Sequence, residues 1–159
     1  MPYLHPELVL RRFSSFAREE VRPAIVGDGD EFLEAQVGSM SSTLDFLSKE
    51  LDGMRGAVEA QHEALLEALD GGEQALAGID ATAPEVRAAV EDGRDRLAEP
   101  PADVYDHEQL LLAVSSDVLA AVEAGLEGEA ARTVREPVYG FLDVRVTTQL
   151  EMLGRESDD

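Results

Sequence analysis

Cysteine is missing from this chain of 159 residues, which removes disulfides, thiolate metal sites and cysteine nucleophiles together. A disulfide-dense secreted scaffold is excluded, so the fold has to rest on a packed core. A chain of this length can bury roughly 70% of the surface its unfolded form exposes. Long apolar runs are missing too, and none approaches the roughly 20 residues needed to span a bilayer. The start, Met1-Pro2-Tyr3-Leu4-His5-Pro6, lacks the charged then apolar layout of a signal peptide, so we expect a cytoplasmic protein with no membrane partner. There is no glycine-rich phosphate loop, Rossmann fingerprint or Walker sequence. Asparagine is absent, and Lys49 is the only lysine.

What is abundant is negative charge. Thirty-four Asp and Glu stand against thirteen cations, twelve of them Arg, for a net charge of -21. This composition resembles that of small, all-helical proteins of halophilic archaea. The resemblance covers the whole chain and implies a salt-rich cytoplasm, with no functional motif attached. Such a charge density makes the compact state repel itself at low ionic strength, whereas at about 1 M salt the screening length falls to about 3 Å. We therefore expect a fold that loosens on desalting. The same charge argues against nucleic acid, whose phosphates need a surplus of cations along one face.

Turn punctuation falls at Gly27-Asp28-Gly29, Gly71-Gly72, Asp80 to Pro84, Pro100-Pro101 and Gly125 to Gly128, and the apolar spacing between these marks is helical. A first helix is expected from Pro6 to Arg22, stopped by Pro23, with Val9, Phe13, Phe16 and Ala17 as its buried stripe. A second starts after Asp30, whose side chain can cap the first amides, with Glu31 and Glu34 at the positive end of the dipole. From Leu33 it carries an unbroken heptad seam: Leu33, Val37, Met40, Leu44, Leu47, Leu51, Met54 and Val58. The pattern loosens through Gln61 and Leu65 and is expected to stop at Gly71-Gly72, giving a rod on the order of 60 Å long. Three more helices are expected, at Pro84 to Leu97, Asp106 to Leu126 and Pro137 to Leu153. The last two present the rows Leu110, Val114, Val118, Val122, Leu126 and Val138, Leu142, Val146, Leu150, Leu153. Residues 155–159 read as a frayed tail.

Few patterns carry chemistry. Glu59-Ala60-Gln61-His62 places a Glu and a His three apart on one helix face, the E-x-x-H element of di-iron carboxylate bundles. A full site of that kind needs the element twice, and only one is present, so a packing role for His62 is favoured. Glu59, His62 and His107 are the candidate metal ligands. Gly27-Asp28-Gly29-Asp30-Glu31 has the look of a calcium loop, but the twelfth position counted from Asp28 or Asp30 is Ser39 or Ser41, so a turn ending in a helix cap fits better. Gly38-Ser39-Met40-Ser41-Ser42-Thr43 lacks the G-x-S-x-G elbow of hydrolases. It either lets another helix approach closely or bends the long helix, and close packing is favoured. Arg11, Arg12, Arg18 and Arg22 make the first helix the one stretch that is not acidic; an anion site is conceivable, but pairing with carboxylates of the acidic body fits better.

The expected architecture is all-α: an up-and-down bundle of about five helices in a single domain over residues 1–159, with one long coiled-coil-like helix. No catalytic or cofactor-binding residue is assigned, and no cofactor. Because the long helix outreaches its intramolecular partners, its seam is expected to be an interface, most simply in a homodimer, with a different protein partner as the alternative. The expected role is a non-enzymatic interaction or scaffold module. The alternative is a bundle with an internal metal or small-ligand site using Glu59 and His62.

Overall fold

The computed structural model describes residues 5–26, 30–79, 83–152 and 154. The turns expected at 27–29 and 80–82, Leu153, and the tail at 155–159 lie outside the described residues. Among the described residues the regular structure is helical throughout, without a strand. The order is α1 (Pro6–Phe16), a π-helical stretch (Ala17–Val21), α2 (Arg22–Val26), α3 (Glu31–Ala77), α4 (Pro84–Ala98), α5 (Val104–Gly125) and α6 (Gly128–Met152). With α1 and α2 taken as one interrupted arm, the described residues form five helical arms, all of them α-helical in class. Two compact units emerge: residues up to Arg55 with Met152 and Gly154, and Gly56 to Glu151; α3 contributes to both.

The first unit is an antiparallel hairpin of the α1–α2 arm and the first half of α3. Asp30 opens α3 as expected, its side chain accepting from the Leu33 amide at 3.0 Å. The residues this hairpin buries are mostly small: Ser14, Ala17, Ser41 and Ser48, with Val37 and Met54. Ser14 and Ser41 bond each other's backbone, and the Ser48 hydroxyl donates to the Glu7 carbonyl at 2.8 Å. Small side chains let the two backbones approach closely, and α3 runs unbroken through Gly38 to Thr43. Arg11 pairs with Asp52 at 3.1 Å, and Arg22 holds Glu34 through both Nε and Nη2, so two of the four arginines tie the arm to α3.

The second unit is a four-helix up-and-down bundle. Arg94 of α4 bridges Asp70 and Glu73 of α3, and Arg87 donates to the Leu76 carbonyl, which fixes α3 and α4 as antiparallel neighbours. Arg96 reaches Asp117 at 2.8 Å and Gly125 lies against Val86, so α4 and α5 are antiparallel too. Gln61 meets Thr148, and Glu108 meets Arg145, so α6 runs antiparallel to both α3 and α5. That leaves α3 and α5 parallel, as diagonal partners. The core holds Val58, Leu65, Leu69, Leu76, Val86, Leu97, Leu111, Val114, Val118, Val122, Val134, Val138 and Phe141, all almost fully buried. At roughly 1.5–3 kcal/mol per buried large side chain, this core is the main source of the unit's stability.

Several expected boundaries and faces need correction. Pro23 does not end the first arm, which continues to Val26. A proline ring collides with the carbonyl four residues back, but the wider π turn just before it, closed by the Arg22 amide on the Ala17 carbonyl, makes room. Gly71-Gly72 does not end α3, which continues to Ala77 and buries Leu76. At Gly71 a Cβ would lie 3.1 and 3.2 Å from the ring carbons of Pro137, so that glycine marks a close approach by α6 and not a turn. The last helix begins at Gly128, with Pro137 in its interior. Its buried face is Ala131, Val134, Val138 and Phe141, a stripe rotated from the expected row, and Val146 is left exposed. The fourth expected helix starts at Val104, because Asp103 caps it by accepting from the Tyr105 and Asp106 amides. In the first arm, Ala17 is buried as expected but Phe13 and Phe16 are exposed, for no described element of their own unit covers them.

Candidate functional site

The heptad seam of α3 divides according to which unit it lies in. Val58 is buried in the bundle, and in the hairpin Val37 and Met54 are buried and Leu44 is half-buried. Leu33, Met40, Leu47 and Leu51 are exposed, as are Phe13 and Phe16 on α1, at 39% to 59% of their full surface. On a helical wheel both rows lie roughly a quarter turn from the face on which α1 and α3 meet, and because the arms are antiparallel, both turn to the same side. The hairpin therefore turns two apolar rows toward one side. Leu33, Val37, Met40 and Leu44 line a shallow groove on it, and Val9, Arg12, Phe13 and Phe16 line another. Among the described residues Arg12 and Arg18 make no ion pair. The α1–α2 arm holds four Arg against three Glu, whereas residues 31–55 hold five Asp and Glu against Lys49 and Arg55. The arm thus carries a small net positive charge and the first half of α3 a net negative one.

In the second unit the candidate metal ligands converge in part. The Nδ1 of His62 on α3 lies 2.9 Å from the Nε2 of His107 on α5, and the two rings meet edge to face with centroids 5.0 Å apart. One of the two nitrogens must carry a proton that the other accepts. The α3–α4 register that sets Asp70 against Arg94 would set Ala102 against His62, beyond the end of α4 at Ala98. The diagonal pair therefore meets where the third helix has stopped, and both rings are half-buried. Burial lowers the pKa of His107 below its usual value, the charge on His62 lowers it further, and the Glu59 carboxylate opposes both. Glu59 itself is exposed, one turn before His62. No group of three or more His, Asp or Glu among the described residues is arranged as a complete metal site.

Beside the pair lies a polar junction that was not read from the sequence. Gln61 is buried to 1% exposure, donating to the Thr148 hydroxyl at 3.0 Å, while its Oε1 has no partner. Thr148 in turn donates to the Arg145 carbonyl, Arg145 pairs with Glu108 at 3.1 Å, and Gln149 donates to the same carboxylate oxygen. The Arg145 Nε is also buried without a partner. Gln61 sits where the seam spacing calls for an apolar residue, and that mismatch was the available signal.

Among the described residues no helix is long and apolar enough to cross a membrane. No protein-family model, curated protein or solved structure matches the chain.

Proposed function

We propose that the chain is a non-enzymatic helical interaction module that pairs with a second copy of itself through the hairpin of its first unit. The observation that carries this reading is the apolar face of Phe13, Phe16, Leu33, Met40, Leu47 and Leu51, left open by a two-helix hairpin whose only large apolar residues buried among the described ones are Val37 and Met54. Two helices with one uncovered face make half of a four-helix bundle. A second hairpin supplies the other half, and the three-four spacing on α3 is the spacing that packs helix on helix. A two-fold arrangement uses the same patch twice. With the hairpins antiparallel, the basic α1–α2 arm of each copy lies against the acidic α3 of the other, giving Arg12 and Arg18 carboxylates to meet.

A salt-rich archaeal cytoplasm fits this reading. Two copies each carrying -21 repel strongly in dilute buffer and approach freely once molar salt shortens the screening length to about 3 Å. Sedimentation velocity in concentrated potassium chloride tests the proposal. Leu47→Asp and Phe13→Asp, each placing a carboxylate in the exposed face, should shift the wild-type dimer to monomer while the helical signal of the second unit persists. Wild-type and variant chains sedimenting alike would refute it.

A further inference from the structure

We propose that His62 and His107 form a two-histidine site for a divalent transition-metal ion of the zinc class. The inference is independent of self-association, since both ligands belong to the second unit. It rests first on distance. A zinc ion about 2.0–2.1 Å from an imidazole nitrogen lies about 3.2 Å from the ring centroid. Two centroids 5.0 Å apart then subtend about 100° at the metal, close to the tetrahedral angle that zinc adopts. The ring nitrogens would stand about 3.1 Å apart around such an ion, a few tenths more than their present 2.9 Å. Replacing the shared proton by a metal therefore asks the rings to pivot about their centres without separating the helices. Zinc is also suited by chemistry: in a chain without cysteine, nitrogen and oxygen donors select a borderline cation.

The surroundings favour a cation. Glu59 is near enough for its charge to act on His107. The positive N-terminal end of α5 opposes a cation, but Asp103 and Asp106 in that first turn supply two carboxylates against it. Both rings are only half-buried, so water can reach the pair to complete the coordination. An open site of two histidines and water is a binding site of moderate affinity, distinct from a closed structural zinc site.

Zinc itself is the probe, titrated into the whole chelator-stripped chain in concentrated potassium chloride with excess magnesium to occupy unspecific carboxylates. The expected result is one zinc per chain, with the ring resonances of both His62 and His107 shifting in step with binding. His62→Gln and His107→Gln should each abolish the stoichiometric site while leaving the helical circular dichroism unchanged. The proposal is overturned if no stoichiometric zinc binds, or if zinc binds the wild type without moving the imidazole resonances, meaning an adventitious ion only. Unchanged affinity in either folded variant overturns it equally.

Discussion

Ser14 and Ser41 exchange hydrogen bonds across the hairpin: each hydroxyl donates to the other's backbone carbonyl, at 2.9 and 3.0 Å, with the two hydroxyl oxygens 3.3 Å apart. Both are buried, so the contact fixes register and spacing together. Replacing Ser41 by Leu forces a large side chain between the arms and should destabilise the first unit by about 1–3 kcal/mol. Ser41→Ala keeps the spacing and should cost only about 0.5–1.5 kcal/mol. Denaturant unfolding followed by helical signal separates the two; equal costs would mean that the backbones are not in close contact here.

The glycines of the second unit should diverge in the same way. A Cβ at Gly93 would meet a Val114 methyl at 2.8 Å, and a branched side chain in a packed core has little freedom to retreat. Gly93→Ala should therefore destabilise by about 1–3 kcal/mol. At Gly140, inside α6, a Cβ meets nothing within 4 Å, and Gly140→Ala should stabilise by about 0.4–1 kcal/mol by restricting the unfolded chain. Thermal or denaturant melts of the two variants check the signs.

The polar junction of Gln61, Glu108 and Arg145 predicts an asymmetry. Arg145→Met strands Glu108, a carboxylate only 12% exposed, with Gln149 as its remaining side-chain partner, and should cost about 2–3 kcal/mol, less than a fully buried pair because Arg145 is 25% exposed. Gln61→Leu forfeits one hydrogen bond but removes an unpartnered buried oxygen, and should fall within about 1 kcal/mol of the wild type. A large loss in Gln61→Leu would mean that this oxygen has a partner in solution.

With chelator present, the His62–His107 pair makes stability pH-dependent. The His107 pKa is lowered in the folded state, chiefly by burial, so folding favours its neutral form. That contribution is intact above the unfolded histidine value of about 6.5 and is lost as pH falls through the folded value. Histidine NMR titration should place the His107 midpoint below that value, and the stability difference between wild type and His107→Gln should shrink between about pH 7 and 5. A midpoint at or above the unfolded value would contradict the geometry.

The helical class was legible because apolar residues recur every three and four positions along almost the whole chain, and Asp30 was legible as a cap. Prolines and glycines misled, since their meaning depends on neighbours that the sequence does not display. Pro23 is tolerated by the π turn before it, and Pro137 seats on Gly71. Periodicity marked Phe13 and Phe16 as apolar but could not say that Ser14 would be the side chain buried in the hairpin. His62 and His107 stood out as two of three histidines, yet their meeting depends on how parallel, diagonal helices align across 45 residues.

The measurement that bears most directly on the central claim is the native molar mass of the wild-type chain by light scattering in concentrated potassium chloride. Pairing through the Phe13, Phe16, Leu33, Met40, Leu47 and Leu51 face predicts twice the chain mass of 17.2 kDa, falling toward the single-chain value as salt is withdrawn. A single-chain mass in concentrated salt would contradict it.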